Sequence, residues 1–108
     1  MKVIFDTNLW ISFLIGHQTQ LVRRMLTDLR FDVYVCSRLI EEIRDVASRG
    51  KIAPSAIRDP KDLYMLALAD TIGANYIVSG DADLTDLGQH NQTRIMKLAD
   101  FKAMMLFV

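Results

Sequence analysis

The sequence alternates short, β-rich apolar runs with longer segments of helical periodicity, and this alternation restricts the possible folds more than any other feature. Strands that alternate with helices form parallel sheets covered by helices on both faces. We therefore predict one three-layer α/β domain over residues 1–108, with a central parallel sheet of about four strands. The predicted strands are residues 1–5, 31–36, 75–79 and 94–98, and the predicted helices are 9–15, 18–30, 38–48, 59–72 and 100–106. Residues 50–58 are predicted to be a connection, 80–84 a loop entering a short helix, and 88–93 a polar turn.

Composition limits the class of protein without indicating a function. Of the 108 residues, 51% are hydrophobic and 24% are charged, which is ordinary for a soluble globular protein. Lys plus Arg equals Asp plus Glu at 13 each, so the bulk charge does not point to a nucleic-acid partner. The single Cys36 cannot form an intrachain disulfide, which is typical of a reducing compartment. We see no signal-peptide pattern and no apolar run near the ~20 residues of a membrane span, and we expect a cytoplasmic protein without membrane contact.

The N-terminal strand leads directly into an acidic residue. Residues 1–5 are mostly apolar and are followed by Asp6, and Asp81 stands after the third predicted strand. In open α/β sheets, ligands bind in the crevice outside the carboxyl ends of the strands. Asp6 and Asp81 are therefore candidate site residues. For Asp81 and Asp83, a turn or helix-cap role is the alternative, because Asp commonly plays that role in such loops.

Two further acids lie on predicted helices, so helical phase decides where they point. At ~100° per residue, Glu42 falls at the rim of the apolar face of its helix, whereas Glu41 falls on the opposite side. Asp62 lies between apolar positions near the start of the next helix. The alternative for Glu42 is an ion pair with Arg38, four residues earlier. The alternative for Asp62 is a helix-capping role together with Asp59.

Four carboxylates gathered at one end of a sheet would repel one another unless a cation compensated them. Carboxylate oxygens suit Mg²⁺ or Mn²⁺, and Mg²⁺ keeps waters that can act as nucleophiles. No His or Cys stands at ligand spacing, so zinc is disfavoured. Asp6, Glu42, Asp62 and Asp81 are therefore predicted to bind metal and to catalyse phosphodiester hydrolysis.

Four segments occur in the order of the PIN domain, and together they resemble that family over essentially the whole chain. The similarity is greatest to its prokaryotic VapC-like branch, the toxin components of toxin–antitoxin pairs. The segments are Ile4-Phe5-Asp6-Thr7-Asn8, Ser37-Arg38-Leu39-Ile40-Glu41-Glu42-Ile43, Arg58-Asp59-Pro60-Lys61-Asp62 with Leu66-Ala67-Leu68-Ala69, and Tyr76-Ile77-Val78-Ser79-Gly80-Asp81-Ala82-Asp83-Leu84.

The resemblance implies a Mg²⁺- or Mn²⁺-dependent ribonuclease that cuts structured or single-stranded RNA. It also implies a cognate antitoxin that holds the enzyme inactive, and a homodimer or higher oligomer. Asn8 and Ser79 match polar positions that orient ligands or water, and Asp83 matches an accessory metal-binding acid. The metal-binding and catalytic quartet that the resemblance implies is Asp6, Glu42, Asp62 and Asp81.

One departure from this branch affects the surface around the site. An additional helical pair usually stands between the glutamate helix and the Arg58–Asp62 stretch, whereas here Arg49 passes to Arg58 through a short connection. That pair normally flanks the groove and helps in partner contacts. We predict that the metal site survives this shortened middle region because all four acids remain. The main alternative is a catalytically degenerate PIN-type module that pairs with protein or RNA without cleavage.

Residues around the acidic pocket allow further predictions. Arg58, Lys61 and Arg94 are candidates for contacts with RNA phosphates, with solvated surface charge as the alternative for each. Trp10 and Phe13 are assigned to the core, with stacking on a base as the alternative.

Two other classes also place Asp after a first strand. An aspartyl phosphatase needs a second Asp two residues on, where this chain has Asn8. A receiver-like domain needs a lysine after a late strand, and Val78-Ser79-Gly80 has none. Both classes are therefore disfavoured.

Overall fold

A five-stranded sheet with helices on both faces forms the centre of the computed structural model, which describes residues 1–17, 19–49 and 61–106. The elements in chain order are β1 (Lys2–Phe5), α1 (Thr7–Leu14), α2 (Thr19–Thr27), β2 (Asp32–Tyr34), α3 (Ser37–Arg49), α4 (Lys61–Ile72), β3 (Tyr76–Val78), α5 (Ala82–Thr85), β4 (Gln89–His90), β5 (Thr93–Met96) and α6 (Leu98–Leu106). The predicted α/β class is confirmed. None of the described helices is both long and apolar enough to cross a membrane.

The strand order is β2-β1-β3-β5-β4, and every pairing except that of β4 with β5 is parallel. Ile77 lies opposite Ile4 on one side and Ile95 on the other, so three β-branched side chains share one row. The prediction of a turn throughout 88–93 is wrong at β4. This strand has two polar residues, too few to give a period, and the short connection to β5 contains Asn91 at φ 53°.

The strand order puts β1 and β3 side by side at the centre of the sheet. From β1 the chain goes outward to β2 on one side, whereas from β3 it goes outward to β5 on the other. A reversal of this kind opens a crevice at the carboxyl ends of the two central strands. Residues that follow β1 and β3 therefore border that crevice.

Each face of the sheet buries its own apolar cluster. On the face covered by α1, α2 and α6, the Phe5 ring makes edge-to-face contacts with Trp10, Phe13 and Phe101 at centroid distances of 5.7–6.0 Å. The predicted core role of Trp10 and Phe13 is thereby confirmed. On the other face, Ile4, Ile77 and Ile95 pack with residues of α4 and α5. Burying one such large side chain stabilises the fold by about 1.5–3 kcal/mol, so the two clusters fix the helices against the sheet.

The first helix begins earlier than predicted. It was expected at residues 9–15, but it starts at Thr7, because the backbone carbonyl of Asp6 already accepts from the N–H groups of Leu9 and Trp10 at 3.1 and 3.2 Å. This shift brings Thr7 into the first turn, where its side chain is buried. The predicted connection at 50–58, and the predicted helix start at 59–60, lie outside the described residues.

Candidate active site

Asp6 is a fully buried acid at the carboxyl end of β1. Its backbone N–H donates to the carbonyl of Val78 in β3 at 3.0 Å, and its Oδ2 accepts from the hydroxyl of Ser79 at 2.6 Å. Ser79 is also fully buried, and its own N–H donates to Met96 of β5 at 3.0 Å. The ladder of three adjacent strands therefore sets where the Asp6 carboxylate lies, and Ser79 sets how it is turned.

The same serine hydroxyl also positions the loop that follows β3. Ser79 Oγ accepts from the backbone N–H of Asp81 at 2.9 Å, and Asp81 Oδ1 accepts from the N–H of Asp83 at 3.0 Å. Asp81 thus caps α5, which confirms the helix-cap role weighed for it. The cap contact uses one carboxylate oxygen. Asp83 is exposed and contacts Asp81 through its backbone.

Glu42 of α3 reaches the site through a residue that the sequence did not single out. The hydroxyl of Thr7, the residue after Asp6, donates to Glu42 Oε2 at 2.9 Å. Leu39, fully buried one turn earlier, anchors α3 in the orientation that allows this contact. Glu42 is half-buried and Glu41 is exposed, as the helical phase predicts.

Tyr64 of α4 is a second polar residue that the sequence analysis missed. Its hydroxyl lies 3.4 Å from Thr7 Oγ1. Burial raises the pKa of Tyr64 well above its ordinary value of 10.0, and the negative charges of Glu42 and Asp6 raise it further, although the contact with Thr7 acts in the opposite direction. The phenol therefore keeps its proton. A tyrosine hydroxyl within the apolar stretch from Leu63 to Ala69 was the signal that could have marked it.

Two predicted residues near the start of α4 are only partly described. The structure places Lys61 and Asp62 in the first turn of α4, but their side chains lie outside its description, as does Arg58 entirely. Asp62 thus stands two positions before Tyr64 on the same helix. Asn8, in the first turn of α1, is exposed. The predicted roles of these residues stay predictions.

The predicted ligand residues carry oxygen atoms of the type that a hard divalent cation binds. Asp6, Glu42 and Asp81 supply carboxylate oxygens, and Thr7 and Ser79 hold two of these groups by hydrogen bonds. Oxygen ligands of this kind suit Mg²⁺ and Mn²⁺ better than zinc. Among the described side chains, which do not include that of Asp62, no three His, Cys, Asp or Glu residues form a metal-binding group.

A cavity of about 360 Å³ lies along β5, from Arg94 near the start of the strand to Lys97 just beyond its end. Arg94, for which a phosphate contact is predicted, lines it, and so does Lys97, which is not among the predicted site residues. Lys97 directly follows Met96, the residue whose carbonyl accepts from Ser79. Lys97 therefore stands two strands from Asp6, roughly 10 Å at the usual strand spacing, whereas Arg94 pairs with Tyr76 nearer the amino ends of the strands.

Comparison with known proteins gives one match. A family model described as the PIN domain matches residues 2–58, which is more than half of the chain. The matched segment contains Asp6, Thr7 and Glu42 and ends before Asp62 and Asp81. Searches of curated proteins and of solved structures gave no significant match.

Proposed function

The chain belongs to the PIN-domain family, and on that premise we propose that it is a metal-dependent endoribonuclease that hydrolyses RNA phosphodiester bonds. The observation that supports this most strongly is the buried carboxylate of Asp6, which Ser79 holds at 2.6 Å at the carboxyl end of the two central strands. A carboxylate so fixed at this point of an α/β sheet is suited to bind a ligand rather than to cap a turn.

In this proposal Mg²⁺ or Mn²⁺ is held by Asp6, Glu42, Asp62 and Asp81, with Asp83 as an accessory ligand. The bound metal would supply an activated water and stabilise the leaving oxygen. The chain's own polar groups orient these acids. Ser79 fixes Asp6 and the backbone of Asp81, and Thr7 fixes Glu42. Asn8, exposed beside Thr7, is proposed to orient water or substrate.

The substrate backbone is proposed to lie along the cavity that contains Arg94 and Lys97. Within the described part of the chain, neither of these residues takes part in an ion pair, so both are available to phosphate oxygens. Asp100 also lines the cavity, which leaves a net charge of +1 there. Cations next to an acidic pocket are needed to hold a polyanion close to carboxylates. Arg58 and Lys61 are proposed as further phosphate contacts.

We extend the proposal to a cytoplasmic toxin that forms a homodimer and is inhibited by a cognate antitoxin. The support is the ordered set of motifs shared with the VapC-like branch, together with apolar side chains that are 64–99% exposed on the described surface at Leu14, Ile15, Leu26 and Leu29. Expression of the chain alone should then arrest bacterial growth. Co-expression with the product of an adjacent small reading frame should restore growth.

A degenerate binding module is the second candidate. Two observations favour it: the described side chains form no metal-binding group of three, and Asp81 is engaged as a helix cap. Calorimetric titration with Mn²⁺ separates the two. The nuclease proposal expects saturable binding to the wild-type protein and its loss in Asp6→Asn. The binding module expects no Mn²⁺ binding, with RNA or protein binding that is insensitive to metal.

A further inference from the structure

The hydroxyl of Thr7 joins three helices at a buried point. Thr7 lies in α1, donates to Glu42 of α3 at 2.9 Å, and lies 3.4 Å from the hydroxyl of Tyr64 in α4. Thr7 is fully buried, and the other two residues are half-buried. Two of the four proposed metal ligands stand in these helices, Glu42 in α3 and Asp62 in α4, and a third, Asp6, directly precedes α1. The network therefore links the elements that must be correctly placed for the metal to bind.

Hydrogen counting fixes the direction of these contacts. A threonine hydroxyl has one proton, and Thr7 gives it to the Glu42 carboxylate. Because the Thr7 proton is used in this way, a hydrogen bond between Thr7 and Tyr64 has the Tyr64 O–H as its donor. A tyrosine hydroxyl carries its proton at neutral pH and can donate it. The Tyr64 hydroxyl thus faces Thr7 Oγ1 at 3.4 Å, and Tyr64 also interacts with the Glu42 side chain itself.

We propose that Tyr64 is a positioning residue for Glu42: together with Thr7 it holds the Glu42 carboxylate in the orientation that metal binding requires. This inference rests on the proposed function. Glu42 has three rotatable side-chain bonds, and the Thr7 hydroxyl hydrogen that bonds it can still rotate about the Cβ–Oγ1 bond. The Tyr64 hydroxyl, 3.4 Å from Thr7 Oγ1, favours the rotation that directs the Thr7 proton to Glu42. Groups that orient metal ligands in this way strengthen metal binding.

The chain offers a matched control for the ring of Tyr64. Tyr34 of β2 and Tyr64 are both half-buried and pack against the same apolar cluster around Ile77. The Tyr34 hydroxyl makes no hydrogen bond to the described residues, and its ring faces the Lys2 ammonium group at 5.9 Å. Tyr34→Phe thus removes a hydroxyl from the same core without touching the network.

The test is calorimetric titration of the metal-free protein with Mn²⁺. Tyr64→Phe keeps the ring and is expected to weaken binding by about tenfold. Thr7→Val, which has the shape of threonine without its hydroxyl, should weaken Mn²⁺ binding at least as much. Thr7→Ser, which keeps the hydroxyl, should bind Mn²⁺ like the wild type. Tyr34→Phe should bind like the wild type. Thermal unfolding without metal checks that each variant is folded at the temperature of the titration.

The outcomes separate this inference from the proposed function. Wild-type affinity in Tyr64→Phe overturns the positioning role while leaving the proposed function intact. Equal weakening in Tyr34→Phe also overturns it, because the effect would then come from core packing. A wild-type protein that binds no Mn²⁺ overturns the proposed function and the positioning role together.

Discussion

The hydroxyl of Ser79 donates to the carboxylate of Asp6 at 2.6 Å, although 73 positions separate the two residues in the chain. Parallel pairing of β1 with β3 brings them together, since the two strands end side by side. Both side chains are fully buried. A buried carboxylate is costly to hold without donors, so this hydrogen bond serves both the fold and the proposed chemistry.

Ser79→Ala should therefore reduce both stability and activity. Loss of the donor leaves a buried carboxylate oxygen less satisfied, and we expect about 1–3 kcal/mol of destabilisation in urea unfolding. We also expect RNA cleavage to fall by roughly 10–100-fold, as for other residues that orient metal ligands. Ser48→Ala on the exposed face of α3 is the control. If Ser79→Ala and Ser48→Ala had the same stability in urea and the same rate of RNA cleavage, the role of Ser79 would be contradicted.

Arg94→Ala should weaken RNA binding without slowing the chemical step. If Arg94 binds a phosphate away from the scissile bond, KM rises and kcat is unchanged. The slope of log affinity against log salt concentration should fall by about 1. Arg23→Ala, on the exposed side of α2, serves as the control. An unchanged salt slope in Arg94→Ala would show that this residue is only solvated surface charge.

The Asp28–Arg30 pair should contribute to acid sensitivity. The Arg30 guanidinium donates through Nε to Asp28 Oδ1 at 2.9 Å, and this contact lowers the pKa of Asp28 from 3.8 to about 2. Because the folded-state pKa is depressed, the stabilisation is present above pH 3.8 and is lost as the pH falls toward 2. As the pH is lowered from 3.8 to about 2, the free energy of unfolding should fall less steeply in Asp28→Asn than in the wild type. A slope identical to that of the wild type would contradict this assignment.

Phe101→Ala should destabilise the fold strongly. The ring is fully buried and contacts Phe5, Phe31 and Tyr76 edge to face at 5.6–6.1 Å. Removing a buried phenylalanine side chain typically costs about 3–5 kcal/mol, which urea unfolding would measure directly. A loss below about 1 kcal/mol, as is typical of exposed positions, would contradict the placement of α6 on this face.

The sequence was sufficient to predict the features that depend on local patterns. The end of an apolar strand located Asp6, and helical phase distinguished Glu42 from Glu41. It did not reveal Thr7 and Tyr64, because their contacts join residues 35 and 57 positions apart across three helices. Such contacts depend on how the helices pack against one another, and the hydrophobic periodicity of a single segment does not predict that packing. The strand β4 was missed because two polar residues carry no alternation.

The most direct test of the central proposal is RNA cleavage by wild-type protein and Asp6→Asn, purified in parallel and shown by circular dichroism to be equally folded. Each protein is incubated with RNA in Mn²⁺ and, separately, in excess chelator. We predict that only the wild type cleaves RNA, and only when Mn²⁺ is present. Intact RNA with folded wild-type protein in Mn²⁺, or equal cleavage by Asp6→Asn, would contradict the proposal that Asp6 belongs to a metal-dependent ribonuclease site.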